Sequence, residues 1–272
     1  MNYLKDYREG EKFVGTYLCK QKQILKTKAG KTYYSLTLQD KTGTADGKIW
    51  ELNNGIANFE PMDYIHCEGM VTSFQGNLQM NISRVRISDE GEYDPADYVP
   101  CTNKDVGEMF SRILKYVASV QNKYLRKILE MYFVENKEFV DAFKKHSAAK
   151  SVHHGFMGGL LEHTLSVTDM CQYFAEHYPM IHRDLLITAA LFHDMGKIQE
   201  ISDFPMNDYT DDGQLLGHIY IGARCMENAA AQIPNFPPKL KNELVHCILA
   251  HHGKMEFGSP KVPAIMEAMA LH

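Results

Sequence analysis

Nothing in these 272 residues approaches the roughly 18 consecutive apolar residues that a membrane-spanning helix needs. The opening stretch, Met1-Asn2-Tyr3-Leu4-Lys5-Asp6-Tyr7-Arg8-Glu9, lacks the apolar centre of an export signal. Cysteine is sparse: Cys19, Cys67, Cys101, Cys171, Cys225 and Cys247 stand far apart, with no Cys-x-x-Cys pair. That spacing argues against a zinc ribbon or a disulfide framework and fits a reducing compartment. The expectation is a cytoplasmic protein with no membrane partner. A formal net charge of -5 does not advertise a polyanion-binding surface. A serine-hydrolase elbow, a phosphate-binding P-loop and an H-E-x-x-H helix are all absent. No internal repeat or low-complexity tract is evident.

Histidine is nearly missing from the first half, where His66 stands alone, and the other twelve lie between His146 and His272. The patterning changes in the same place. From Glu11 to Ser88 the chain reads as β. Strands are expected at 13–19, at 31–39 (with Tyr34, Leu36 and Leu38 on one face), at 47–50, and at 64–71 and 78–85 around a turn at Gln75-Gly76-Asn77. A turn is expected at Asp40-Lys41-Thr42-Gly43 and a short helix over 51–59. Five strands with that helix match the oligonucleotide/oligosaccharide-binding (OB) barrel. Polar, turn-prone residues from Asp89 to Pro95 lead into a linker. Beyond it the apolar spacing becomes helical: Val106, Met109, Phe110, Ile113, Leu114 and Val117, then Leu125, Ile128, Leu129, Tyr132 and Phe133. Further helices are expected at 160–177, 183–193, 217–232, 238–250 and 263–271. The predicted organisation is a barrel over 1–92, a linker over 93–103 and an all-α domain over 104–272.

Within the helical half the histidines are ordered: His163, then His193-Asp194, then His218, then His251-His252. Imidazole nitrogens with a carboxylate oxygen suit divalent transition metals. Neighbours on a helix point about 100° apart, so His193 and Asp194 share an ion only near a helix end or across a groove. His163 is flanked by leucines that anchor a helix. His218 opens a helix beginning at Gly217, and His251-His252 closes another before Gly253, a plausible C-cap. Ligands from several helices make an interior pocket rather than a surface clip. His153-His154, ahead of the glycine-rich turn at 155–159, reads either as loop or as lining for a substrate path. His146, His177, His182 and His246 fall outside the pattern.

These residues also carry a resemblance. Leu191-Phe192-His193-Asp194-Met195-Gly196-Lys197-Ile198 resembles the defining motif of the HD metal-dependent phosphohydrolases. Gly158-Gly159-Leu160-Leu161-Glu162-His163-Thr164 and Ile248-Leu249-Ala250-His251-His252-Gly253 are similar to that superfamily's other histidine segments. With the barrel in front, the chain from Glu11 onward resembles the YhaM-type 3′-to-5′ exoribonucleases. The resemblance implies metal ligation by His163, His193, Asp194, His218, His251 and His252, and a place for Lys197 beside the scissile phosphate. One or two divalent ions are expected, with manganese favoured over magnesium because the ligands are largely nitrogen. His163, His193 and Asp194 would hold one, His218 and the His251-His252 doublet a second, with Asp194 bridging. The superfamily also closes its site with an Asp expected just beyond Ala268-Met269-Ala270-Leu271-His272. On that reading the chain is C-terminally truncated.

The implied activity is hydrolysis of single-stranded RNA, with DNA as a second substrate class, to 5′-nucleotides by metal-activated water. Alternatives are a phosphohydrolase of small nucleotides and a nucleic-acid-binding adaptor without turnover. On the barrel, Lys20, Lys22, Lys31 and Lys48 are candidate phosphate contacts. Tyr33 and Phe74 are the leading stacking residues, and Tyr34 and Trp50 are also available. A homo-oligomer would suit such a nuclease.

Overall fold

The structure, a computed structural model, describes residues 2–53, 55–150 and 154–272. His153 lies outside the described residues. The chain forms two compact units, Met1–Pro100 and Cys101–His272.

In the first unit, β1 (Lys12–Lys26), β2 (Thr32–Asp40), β3 (Gly43–Ile49), β4 (Tyr64–Phe74) and β5 (Asn77–Ile87) close into a barrel in the order β1-β2-β3-β5-β4. All neighbours are antiparallel except the β3–β5 pair. This is the OB arrangement the sequence led us to expect. Closure depends on β1, which pairs with β4 from Lys12 to Leu18 and with β2 from Leu18 to Lys26. A register shift between Cys19 and Gln21 lets it serve both neighbours, as a bulge bends a strand. The expected strand at 13–19 therefore continues to Lys26. Gln21, Gln23, Ile24, Leu25 and Lys26 are all exposed, so that half lacks the alternation that marks a half-buried strand.

A second bulge lies at Glu68-Gly69. A Cβ on Gly69 would stand 2.0 Å from the Asn81 carbonyl oxygen and 2.7 Å from the Phe13 ring, so only glycine lets these strands approach so closely. The helix expected over 51–59 is not among the described residues. Instead the Ala57 N–H donates to the Val85 carbonyl and the Val85 N–H to the Gly55 carbonyl, each at 2.9 Å. The Asn53 side chain accepts from the Gly55 N–H, a turn that competes with helix. Phe59 then joins the barrel core with Phe13, Tyr17, Leu36, Leu38, Ile49 and Ile65. Tyr93 and Tyr98 pack on Tyr64 of the same unit.

The second unit holds α1 (Val106–Ser119), α2 (Lys123–Glu130), α3 (Lys137–Lys145), α4 (Gly159–His177), α5 (Arg183–Phe192), α6 (Lys197–Glu200), α7 (Asp211–Ala231), α8 (Pro238–Ala250) and α9 (Met266–Leu271). Asp105, Asn122, Asn136 and Thr210 cap helix N-termini with their side-chain oxygens. α3 was not anticipated: its stripe is only Phe139, Val140 and Phe143 among lysines and acids, and a π-helical turn over Met131–Glu135 breaks the period before it. Every residue from 185 to 192 is buried, which makes α5 the central helix. Among the described residues no helix is long and apolar enough to cross a membrane.

Candidate metal centre

The central helix delivers the His-Asp pair. α5 ends at Phe192, His193 is its C-cap, and the chain turns at once into α6. Residues that would diverge along a continuing helix therefore point into one space. α4 begins after Gly158, whose φ of 79° is a conformation glycine adopts without strain, and brings His163 in from its second turn. α7 carries His218 immediately after Gly217, whose φ of 72° and ψ of 154° break the helix. The expected start at Gly217 is thus a kink inside a helix that begins at Asp211. His251 caps the C-terminus of α8, and Gly253, with φ of 75°, turns the chain away.

These elements converge on Asp194, which is 2% exposed. On one side, His163 Nε2 and His193 Nε2 lie 3.2 and 3.3 Å from Asp194 Oδ2, and 3.1 Å from each other. On the other, His218 Nε2 and His251 Nε2 each lie 3.5 Å from Asp194 Oδ1. His252 adds a donor atom to this second group, all within 4.8 Å of one another. Asp194, His193, His218 and His251 are buried; His163 and His252 are partly exposed.

Second contacts set the imidazole tautomers. The His193 Nδ1–H donates to the Ala190 carbonyl at 2.7 Å, that of His251 to the Ile248 carbonyl at 2.6 Å, and that of His252 to the Phe257 carbonyl at 2.7 Å. His218 donates Nδ1–H to Glu200 Oε1 at 2.9 Å, and its backbone N–H reaches the same oxygen. In the neutral rings the Nε2 atoms of His193, His218 and His251 therefore turn a lone pair toward Asp194. Asp194 Oδ1, His218 Nε2 and His251 Nε2 are buried without a hydrogen-bond partner. One such orphan costs on the order of 1–3 kcal/mol, so three at one point are hard to account for unless a cation joins them. The donor set fits a divalent transition ion.

The electrostatics agree. Burial opposes the charge on Asp194, but His193, Lys197 and His163 outweigh it and hold the carboxyl well below the ordinary carboxylate range. Burial lowers His251, and burial with the neighbouring His251 lowers His252, which keeps both rings available as neutral donors. Lys197 places Nζ 2.8 Å from Asp194 Oδ2, with its side chain 15% exposed.

Glu200 was not singled out from the sequence. Its only signal was a carboxylate one short helix beyond the His-Asp pair, and its partner His218 is distant in the chain. Histidine-to-carboxylate contacts of this kind orient metal ligands and raise their basicity. Glu200→Gln is expected to weaken divalent-metal binding at His218 about 10- to 100-fold while sparing binding at His163. Metal-buffered titration checks this, and unchanged affinities would remove Glu200 from the role.

His154 lies beside the group, with ring centroids 5.3 Å apart from His163 and Nε2 4.0 Å from Glu162. The histidines outside the pattern have local roles. Buried His146 faces the Ser147 and Ile201 carbonyls, His177 the Tyr173 carbonyl, His182 accepts from the Leu185 N–H, and His246 from the Ala264 N–H.

The barrel candidates divide. Tyr33 stacks on Trp50 at 4.6 Å, and Lys48 pairs in register with Ser35 and bonds its hydroxyl at 2.7 Å, so these residues share the outer face of β2 and β3. Lys31 is exposed and paired with Glu51. Lys20 is exposed on β1, and Phe74 is exposed at the end of β4. Lys22 donates to the Phe59 carbonyl and lies over the Tyr34 and Phe59 rings, so its ammonium is engaged within the barrel.

Comparison with known proteins places this geometry. The HD domain model matches residues 160–269. A protein named 3′-5′ exoribonuclease YhaM from Listeria innocua is 32% identical over 278 residues, covering 99% of this chain and 85% of its own. Its namesake from Bacillus subtilis is 31% identical over 250 residues, covering 89% and 77%. Among solved structures, the second OB-fold domain of replication protein A from Methanococcus maripaludis matches 34% of this chain and 98% of its own, at 20% identity and a TM-score of 0.27.

Proposed function

The chain belongs to the YhaM family of 3′-5′ exoribonucleases, and from that premise we propose that it shortens single-stranded RNA from the 3′ end with two divalent ions shared through Asp194. The reading is carried by one observation. Two pairs of imidazole Nε2 atoms face opposite oxygens of a single buried carboxylate, and three of these atoms lack hydrogen-bond partners. His163, His193 and Asp194 would hold one ion; His218, His251, His252 and Asp194 would hold the other.

Divalent ions bound there supply charge neutralisation at a phosphodiester and lower the pKa of water toward neutrality. The chain's own residues do the rest. Asp194 stays ionised and fixes both halves of the site in register. Glu200 and the backbone carbonyls hold the imidazoles in their metal-binding tautomers. Lys197, held at the carboxylate, would share in neutralising the phosphate. With five imidazoles to one carboxylate, manganese or another transition ion suits the site better than magnesium. The face bearing Tyr33, Trp50, Lys31 and Lys48 offers stacking and charge to a strand of either RNA or DNA without reading its sequence.

The test is a 5′-labelled single-stranded RNA incubated with manganese, beside mononucleotide and cyclic-nucleotide substrates. A ladder shortening from the 3′ end, abolished by chelation and restored by manganese, is expected. Hydrolysis of the small nucleotides with the RNA left intact would assign the site to a different substrate class. RNA binding that survives chelation, with no turnover under any metal, would make the chain an adaptor.

A further inference from the structure

Phe257 follows His252 by five residues, and it does not serve the core. Its side chain belongs to a residue 60% exposed, and Met255 beside it is 75% exposed. Isolated exposed apolar residues are ordinary, so exposure by itself decides nothing. Position and rigidity decide. The Phe257 carbonyl accepts the His252 Nδ1–H at 2.7 Å, and His252 is the partly exposed member of the second ligand group. The backbone that carries the ring is therefore tied by one hydrogen bond to the rim of the site.

The segment bearing it is a short, tied turn. The Lys254 N–H donates to the His252 carbonyl at 2.9 Å, the Phe257 N–H to Lys254 at 3.0 Å, and the Gly258 N–H to Met255 at 3.0 Å. Gly258 closes the turn with φ of 85°, and the Ser259 hydroxyl anchors it to the Leu249 carbonyl on α8. Lys254 Nζ lies 5.8 Å from the centre of the Phe257 ring and 3.4 Å from Glu256, a surface pair that a phosphate can displace.

We propose that the turn at residues 254–258 is a platform for a nucleobase flanking the scissile phosphate, with Phe257 as the stacking face. It rests on the exonuclease reading and adds the part of the site that holds the end of the strand. An enzyme that removes successive nucleotides must grip each new end whatever its base. Stacking does this because every base has a π-face. The rigid turn spares the ordering cost that a flexible loop would add at each step.

The experiment compares wild type, Phe257→Ala and Phe257→Trp on single-stranded RNA, measuring KM, kcat and bound metal. Each is also tested on RNA whose 3′-terminal nucleotides lack bases. Phe257→Ala keeps the backbone carbonyl that bonds His252, so its metal content should match wild type. Its KM should rise roughly tenfold or more, the range expected for losing one stacked base, with a smaller effect on kcat. Phe257→Trp should restore KM, and only the aromatic forms should discriminate against abasic ends. An unchanged KM, or equal preference for abasic RNA in all three, overturns the platform. A fall in metal content overturns it too, because Phe257 would then be supporting His252. Failure of wild type to shorten RNA sinks the underlying reading and takes the platform with it.

Discussion

Asp194→Asn is expected to strip both ions and lower exonucleolytic turnover about a thousandfold or more, equivalent to about 4 kcal/mol of transition-state stabilisation. The reason is geometric. Each carboxylate oxygen faces its own pair of imidazoles, so one residue closes both halves of the centre. Asparagine preserves the shape but removes the charge, and it offers an N–H₂ group to one pair of lone pairs that needs a cation. His218→Ala should behave differently, losing the ion on its own side and keeping the one held by His163 and His193. Elemental analysis of the purified variants, alongside the ladder assay and circular dichroism to confirm folding, separates these cases. An Asp194→Asn protein that retains two ions, or more than a tenth of wild-type turnover, would refute the bridging role. So would loss of both ions from His218→Ala, because it would show one coupled site rather than two.

The second large effect is expected from a residue that touches no metal. A Cβ on Gly196 would lie 2.1 Å from the His218 carbonyl oxygen and 2.9 Å from the Gly222 amide nitrogen. Gly196 has an ordinary helical φ of -64°, so the demand is for space and not for an unusual conformation. Its partners are backbone atoms of α7 and cannot swing aside. Gly196→Ala must push α6 and α7 apart, which pulls Glu200 from His218 and His218 from Asp194. Overpacking of this kind costs about 1–3 kcal/mol or more, which for a helical unit of this size lowers Tm by roughly 2–12 °C. Binding of the ion on the His218 side should weaken together with Tm. Gly222→Ala is the control: its nearest neighbour, Ile248 Cγ2, would sit at 3.5 Å, an ordinary contact. Calorimetry with metal titration tests both, and a Gly196→Ala protein with wild-type Tm and affinity would show that the helices separate without consequence.

These expectations mark how far the sequence could be read. Alternation in β2 and the 3.6-residue spacing in α1 announced their elements because each buries one face and wets the other. The segment 51–59 misled because Ile56, Ala57 and Phe59 resemble a short helical stripe, whereas Asn53 and Gly55 form a turn and the backbone pairs with Val85. The second half of β1 was invisible for the opposite reason: exposed on both faces, it has no pattern to show. The clustering of the histidines with Asp194 was legible because an ordered set of so few residue types stands out from the rest of the chain. Glu200 was not, since a second carboxylate that orients a ligand looks in sequence like any surface glutamate.

The sequence by itself determined the two-part architecture and singled out, in the second half, the histidines and aspartate that the fold brings together, all consequences of local periodicity and residue chemistry. Only the tertiary structure decided which oxygen of Asp194 each histidine faces, that Lys197 pairs with that same carboxylate, that Lys22 is engaged within the barrel while Tyr33 and Trp50 stack on its face, and that the Phe257 carbonyl takes the His252 hydrogen bond. Those outcomes depend on where a helix ends, where a glycine permits two backbones to touch and which carbonyl takes an imidazole proton. Most are properties of residues distant in the chain, and they exist only once packing has brought those residues together.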